Sequence, residues 1–558
     1  MRLKHLIFAA LAAMLAWAAP AAAQSRTELT IGMTQYPATL HPLGESMLAK
    51  SYVNYMAMRP ISGPDLEWTT QCFLCTELPT LQNGRAAVTT RADGTRGISV
   101  RFTLPAEAKW ADGRPLTTED VVFTWEVGRH PQSGVAAPDI FRRIERIEVH
   151  DAQNFTLHFN VVSYDYNSLN NDFMVLPAHV ERARFEQDPS TYKDRTAYLT
   201  EPTNPGLWNG PYRLAQVSPG SHLVYERNPH WWGRRPHYER ITVRIIENTA
   251  ALEANLLSGS IDYISAELGV TVDQAIAFGR RHGANYDVEF KPGLIYEHIN
   301  VNLDNPILRD RRVRQALLYG IDRETLVRQL FEGRQPVAHS FVNPLDRAAV
   351  NADIPRYNYD PNRARQLLEE AGYTVIRDGI RQNAAGERLS FEFGTTAGNR
   401  TREQVQQVLQ SQWRRIGVEV RIKNDPARTF FGETTRRRLF TLGMWAWTST
   451  PESVTSAFQL LHSSQIPTEA NNWSGNNRTG FRNADIDRLI DQIRQELDPA
   501  RRNQIWGEIQ RIYLTELPVL PLYFRAEPAI LPRSIDGIRI SGHGFTSTLW
   551  VEEWRPRQ

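Results

Sequence analysis

Strand-like and helix-like segments alternate along the chain, and that alternation confines it to the α/β class, with large lobes built from repeated strand–helix units. Val100 to Leu104 reads as a strand. After a loop, Thr117 starts a helix, and Asp120 stands three residues on as its capping-box partner. "IERIEVHDAQNFTLHFN" predicts two strands around a turn at Asp151–Asn154. Farther on, Asp360 is a natural N-cap, Pro361 is preset for the first helical position, and Gly372 suits the C-terminal end. Between them Ala364, Leu367, Leu368 and Ala371 form a helical apolar stripe. Val405, Val408, Leu409 and Trp413 mark the face of another helix, which Gly417 ends before the strand "VEVRI". "RRVRQALLYGIDRETLVRQLFEG" predicts two helices, the second capped by Asp322 and ended near Gly333. A chain of 558 residues is too long for one compact core and suits two or three domains. No internal repeat, heptad run or low-complexity tract points to a solenoid or coiled coil.

The first residues, "MRLKHLIFAALAAMLAWAAPAAAQ", have the order of a secretory signal peptide: basic Arg2 and Lys4, an apolar Leu6–Trp17 run, and small residues at Ala21–Ala23. Cleavage is expected before Gln24, which assigns residues 1–23 to the signal and the mature protein to the periplasm. The absence of a cysteine at that point leaves no lipid attachment. No later stretch reaches the roughly 18 apolar residues of a spanning helix. Loss of Arg2 and Lys4 leaves 62 basic against 62 acidic residues, so charge gives no reason to expect nucleic acid or an anionic membrane as partner. The two cysteines, Cys72 and Cys75, are expected to close a small disulfide loop in an exported chain. A redox centre is the sharper alternative, without a thioredoxin-like context around it; a zinc site would need further ligands.

Signatures of catalysis are missing. There is no HExxH, no GxSxG elbow and no GxxxxGK[ST] phosphate loop. Carboxylates are abundant, but no local pattern selects a pair for glycoside hydrolysis. The chain is therefore expected not to be an enzyme and to need no cofactor or metal. An exported hydrolase with an unmarked carboxylate pair stays as the alternative.

Several segments, in order, resemble the family 5 extracellular solute-binding proteins of ABC importers, the dipeptide/oligopeptide-binding type. They are "VRFTLPAEAKWADGRPLTTEDVVFTWE", with the core Trp110, Asp112, Gly113, Pro115, Leu116, Thr117, Asp120 and Val121; "NGPYRL" followed by "ERNPHWWG"; "LLSGSIDY"; "INVNLDNPILRDRRVRQALLYGIDRETLV"; "YDPNRARQLLEEAGY"; and the C-terminal "RTGFRNADIDRLI" and "LPVLPLYF". The resemblance implies a two-lobed periplasmic binding protein of type II, of the large cluster with an extra subdomain, hinged by two crossing strands. It divides the mature chain into lobe I (24–52, 170–288 and 522–558), an extra subdomain (53–169) and lobe II (289–521), with crossings near Asp287–Leu294 and Leu517–Tyr523. It implies a monomer that captures a peptide-like or other small solute between the lobes and delivers it to membrane permease subunits.

Most of the family motifs read as folding locks, so the ligand is expected against loops and strand ends. The candidates are Tyr36; Trp208 and Asn209; Glu297, His298 and Asn300; and Trp445, Trp447 and Ser449, with core packing as the alternative for each. In peptide-binding relatives the segment equivalent to "MWAWTSTPESV" usually runs G-W-x-x-D, and its aspartate pairs with the peptide's α-ammonium. Here Ser449 and Thr450 stand where acidity is expected, and the first carboxylate is Glu452. An uncompensated buried ammonium costs several kcal/mol. The missing aspartate leaves peptide and non-peptide ligands both open, ordinary short peptides requiring Glu452 or Glu297 to substitute; opines, oligosaccharides, nickel chelates, haem and modified peptides are the other solutes the family carries. Arg436–Arg438 could offer a carboxylate site, or be a solvated surface face.

Overall fold

The computed structural model describes residues 27–44, 47–91, 93–136, 138–343, 346, 353–426, 429–448, 454–471 and 475–557. Two large buried cores organise them. One draws on residues from Leu29 to Leu268 and is completed by Ile535–Trp554; the other draws on residues from Tyr296 to Phe524. Two α/β lobes thus each carry an independent core, as chain length demands.

The first lobe is built on a five-stranded sheet in the order Tyr263–Ile264, Glu28–Met33, Arg240–Ile245, His222–Arg227 and Tyr212–Ser218. Glu28–Met33 runs parallel to both of its neighbours, and the last three strands form an antiparallel meander. A separate four-stranded antiparallel sheet, Ala86–Thr90, Arg96–Thr103, Asn154–Phe159 and Ile144–Val149, packs into the same core. The W-x-D-G-x-P-L-T-x-x-D segment locks that region. Thr117 and Asp120 form a capping box on the helix Thr118–Arg129, and Asp120 Oδ2 also accepts from the buried Trp110 indole at 3.2 Å. Its Oδ1 accepts from the Ala178 backbone at 2.8 Å, so one carboxylate ties the loop at Trp110, its own helix and the start of the helix Ala178–Gln187 together. Cys72 and Cys75 are disulfide-bonded at the edge of this region.

The second lobe carries a five-stranded sheet in the order Glu419–Ile422, Ser390–Gly394, Leu442–Thr448, Tyr286–Val301 and Val519–Pro532. Its helices form where capping and periodicity coincide. Asp360 accepts from Asn362 and Arg363 at the start of Pro361–Glu370, and Ala364, Leu367 and Leu368 are buried. Burial contributes about 1.5–3 kcal/mol for each large aliphatic side chain. Arg400–Arg414 buries Val405, Leu409 and Trp413 in the same way, capped by Asn399.

Two of the second sheet's strands continue into the first lobe. Tyr286–Val301 and Val519–Pro532 run antiparallel, from Tyr286 opposite Pro532 to Asn300 opposite Val519, with register shifts between Pro292 and Tyr296 and between Glu297 and His298. Phe524 belongs to the second core, whereas Ile530 packs with Leu252, Ile261 and Phe278 of the first lobe. The pair therefore crosses between lobes along residues 286–295 and 525–532.

Candidate ligand-binding cleft

A cleft of about 740 Å³ lies where this strand pair meets both lobes. The first lobe contributes Glu267, Val270 and Asp273; the second contributes Gln335, Asn399 and Arg400. The crossing strands supply its back wall. Tyr523, Arg525 and Glu527 stand at alternate positions and line the cleft together with Ala526 and Pro528 of the same strand. Such a volume, walled from two lobes and mixing apolar with charged groups, has the size and character of a small-solute site.

Arg525 is held by the first crossing strand. Its guanidinium donates to Oε1 of Glu297, and Arg402 donates to both Glu297 oxygens, at 3.1 and 3.3 Å. Arg402 sits in the first turn of Arg400–Arg414 and also donates to Thr396 Oγ1 at 3.2 Å. Glu297 is fully buried. Burial alone would raise its pKa, but Arg525 and Arg402 outweigh it and hold the carboxyl below its usual range. Arg525 keeps 37% of its side chain exposed, so its fork is aimed by Glu297 while its free edge faces solvent in the cleft.

The other sequence candidates are not gathered around this cleft. His298 is fully buried, stacked on Tyr296 with ring centroids 4.7 Å apart; its Nδ1 lies 3.0 Å from the Tyr296 carbonyl, and burial depresses its pKa to about 4. Asn300 is buried with Nδ2 unpartnered among the described residues. Trp445 is packed edge-on against Phe430 and Phe440, with Arg478 over its ring. Gly443 makes that seat possible: a Cβ there would lie 2.5 Å from the indole. Trp447 is half-buried against the second core and donates to Ser456 Oγ at 3.1 Å. Ser449, with Thr450 and Glu452, lies outside the described residues. Trp208 and Asn209 are buried in the first lobe, where the indole donates to the Pro202 carbonyl at 3.0 Å and Asn209 Oδ1 accepts from the Arg59 backbone at 2.9 Å. Tyr36 packs half-buried against the first core. In the Arg436–Arg438 run, Arg438 turns inward to Asp304 at 2.7 Å.

The sequence candidates include neither Arg525 nor the carboxylates across from it. Glu267 accepts from the Ser547 backbone at 2.6 Å and from its hydroxyl at 3.1 Å, and burial raises its pKa. Glu527 Oε2 is buried and unpartnered among the described residues. Burial and the charge of Glu267 push Glu527 up to about 8, against a smaller opposing effect from Lys291. The signal in the sequence was the charged alternation "FRAEP" inside an otherwise apolar strand, which only the crossing position turns into a cleft wall. Among the described residues no cluster of His, Cys, Asp and Glu could hold a metal ion, and no helix is long and apolar enough to cross a membrane.

Residues 87–468 match the model for "Bacterial extracellular solute-binding proteins, family 5 Middle". The crystal structure of an oligopeptide-binding protein from Thermus thermophilus, complexed with a pentapeptide, is 31% identical with a TM-score of 0.70, covering 95% of this chain and 96% of that one. The oligopeptide-binding protein AppA of Bacillus subtilis is 25% identical over 82% of this chain and 81% of its own. NikA from Brucella suis, in complex with Fe(III)-EDTA, shares the fold at 20% identity with a TM-score of 0.75, covering 95% of this chain and all of that one. The hydrolase alternative finds no support among these relatives. With more than half its length matched and its two lobes joined by a crossing strand pair, the chain belongs to the bacterial extracellular solute-binding proteins of family 5.

Proposed function

We propose that this protein is the periplasmic solute-binding component of an ABC importer, a monomer that encloses a peptide-like or other small solute between its lobes and hands it to membrane permease subunits. The observation that carries the reading is the 740 Å³ cleft walled by both lobes and both crossing strands. Enclosure from two sides gives affinity, and bending of the strand pair between the lobes gives release. Residues 1–23 act as the export signal, and lobe I, the subdomain and lobe II follow the division 24–52 with 170–288 and 522–558, then 53–169, then 289–521. Glu297 serves the ligand through Arg525 rather than by contact, leaving Arg525 as the direct carboxylate receptor. The relatives named for oligopeptides support a peptide-like solute, and the chelate-bound neighbour shows that the fold accommodates other solutes.

Native mass spectrometry of the protein purified from its own periplasm tests this. One solute bound per chain, raising Tm on re-addition and recovered unchanged, is the expected result. Conversion of that solute by the purified protein, or a protein with no stoichiometric ligand and no Tm response to peptide or chelate panels, overturns it.

A further inference from the structure

Away from the cleft, the first lobe holds a pocket of about 270 Å³ that shares no lining residue with it. Leu43, Val135, the Tyr192 ring and the exposed Leu199 make its walls largely apolar, with Thr39 and His41 as polar groups among them. Lys193 and Asp194, both exposed, pair with each other at 3.1 Å and leave the mouth without net charge. An apolar cavity of roughly 150 Å³ admits benzene, so this pocket has room for a small organic molecule.

His41 is 6% exposed and is clamped edge-on by Tyr192 and Tyr198, with ring centroids 5.4 and 5.3 Å away. A chain of partners decides where its proton sits. Glu181 accepts from the Ala197 backbone at 2.7 Å and from the Tyr192 hydroxyl at 2.5 Å. That hydroxyl has one proton and gives it to Glu181, so toward His41 Nε2, 3.1 Å away, it can only accept. The imidazole proton is therefore on Nε2, and Nδ1 is a bare lone pair. Burial, with the nearby charge of Lys50, lowers the His41 pKa to about 3, so Nδ1 stays unprotonated at neutral pH. Nδ1 has no hydrogen-bond partner among the described residues, and unlike the sealed Nε2 of His298 it is open to the pocket. Beside it, Thr39 Oγ1 accepts from the His41 backbone at 3.1 Å, and its own proton is committed to no acceptor among the described residues.

We propose that this pocket is a second ligand site, for a small neutral molecule that carries one hydroxyl group on an apolar body, of the phenol or benzyl alcohol kind. The ligand's O–H donates to His41 Nδ1, its oxygen accepts from Thr39, and its apolar body lies against Leu43, Val135 and Leu199. Charged ligands fit less well. An anion would face the Nδ1 lone pair, and a cation would find Asp194 paired with Lys193 and Glu181 turned to Tyr192 and Ala197. The site lies within the first lobe, so it goes beyond the importer reading and does not rest on it.

Phenol and anisole share an aromatic body and differ in the donor, so both are titrated into the purified protein and followed by ligand-observed NMR. The expected result is that phenol binds roughly tenfold tighter than anisole, the worth of one net hydrogen bond. Nitrogen NMR should show the His41 Nδ1 resonance moving upfield with phenol and not with anisole. Leu199→Trp closes the mouth from an exposed position and should abolish phenol binding with Tm unchanged. His41→Phe keeps the ring and should erase the preference for phenol; if that variant does not fold, Leu199→Trp and the Nδ1 resonance decide alone. Equal affinity for the two probes, binding of neither, or phenol binding that survives Leu199→Trp overturns the site, and each of these leaves the importer reading intact.

Discussion

Glu297 and Glu527 sit on the two crossing strands, both enclosed by protein, and they are treated in opposite ways. Glu297 is gripped by a bidentate arginine from the second lobe and by Arg525 from the neighbouring strand, and its carboxyl is held ionised. Glu527 faces another carboxylate and keeps its proton up to about pH 8. Both are glutamates, one fully buried and one partly so at the cleft wall, and the sign of the nearest charge differs. A buried carboxylate with saturated partners keeps its charge and is part of the frame, whereas one left with a buried, unpartnered oxygen near a like charge holds its proton instead.

The largest test of that contrast removes Glu297. In Glu297→Ala, Arg402 loses both of its carboxylate contacts while only 8% exposed, and breaking a buried pair from one side costs roughly 3–5 kcal/mol. Urea unfolding should show this loss, with affinity falling as well because Arg525 loses its orientation. A loss below about 1 kcal/mol, the size expected of a solvent-exposed pair, would place Glu297 outside the frame.

Local order was legible in the sequence because it depends on neighbours. Asp360 with Pro361, and Thr117 with Asp120, cap helices where spacing predicts them, and the turn at Asp151 joins the strands Ile144–Val149 and Asn154–Phe159. The site was hidden because it is made across long distances. Arg402 and Arg525 lie 105 and 228 residues from Glu297, and no periodicity announces such a meeting. Register shifts on either side of Tyr296–Glu297 further decide which face each side chain takes. The two tryptophans show the same limit. Strand parity puts Trp445 and Trp447 on one face, but what covers that face comes from elsewhere: Phe430 and Phe440 over Trp445, the second core and Ser456 beside Trp447.

The pH dependence of stability separates the two carboxylates by sign. Glu297 has a folded pKa below the ordinary Glu value of 4.5, so its contribution is full above that pH and is lost as pH falls through the folded value. Glu527 has a folded pKa of about 8, so the native state binds the extra proton between 4.5 and 8 and stability falls as pH rises through that window. The slope from this one group reaches up to about 1.4 kcal/mol per pH unit. Glu527→Gln should flatten the stability profile between pH 5 and 8 and leave the acid limb unchanged. A profile that keeps its slope in the variant would mean that Glu527 is hydrated in the folded protein and is not the counterpart of Glu297.

The smallest expected effect concerns how the Glu297 cluster divides between its two arginines. Arg525→Lys keeps a charge near Glu297 but gives up the planar fork, and the ammonium's shorter, more strongly hydrated head suits the cleft surface better than the buried oxygen. Arg402 stays bidentate on the same carboxylate and draws support from Thr396, so the frame loses only one charge-assisted bond of two suppliers. Because Arg525 is 37% exposed, solvent screens part of its attraction, and the variant should lose about 1 kcal/mol in urea unfolding while its affinity for solute drops more than its stability. If Arg525→Lys proves as damaging as Glu297→Ala, then the crossing strand, and not the second lobe, holds Glu297 in its charged state. The cluster would then be a latch between the two strands, its integrity tied to the position of the hinge.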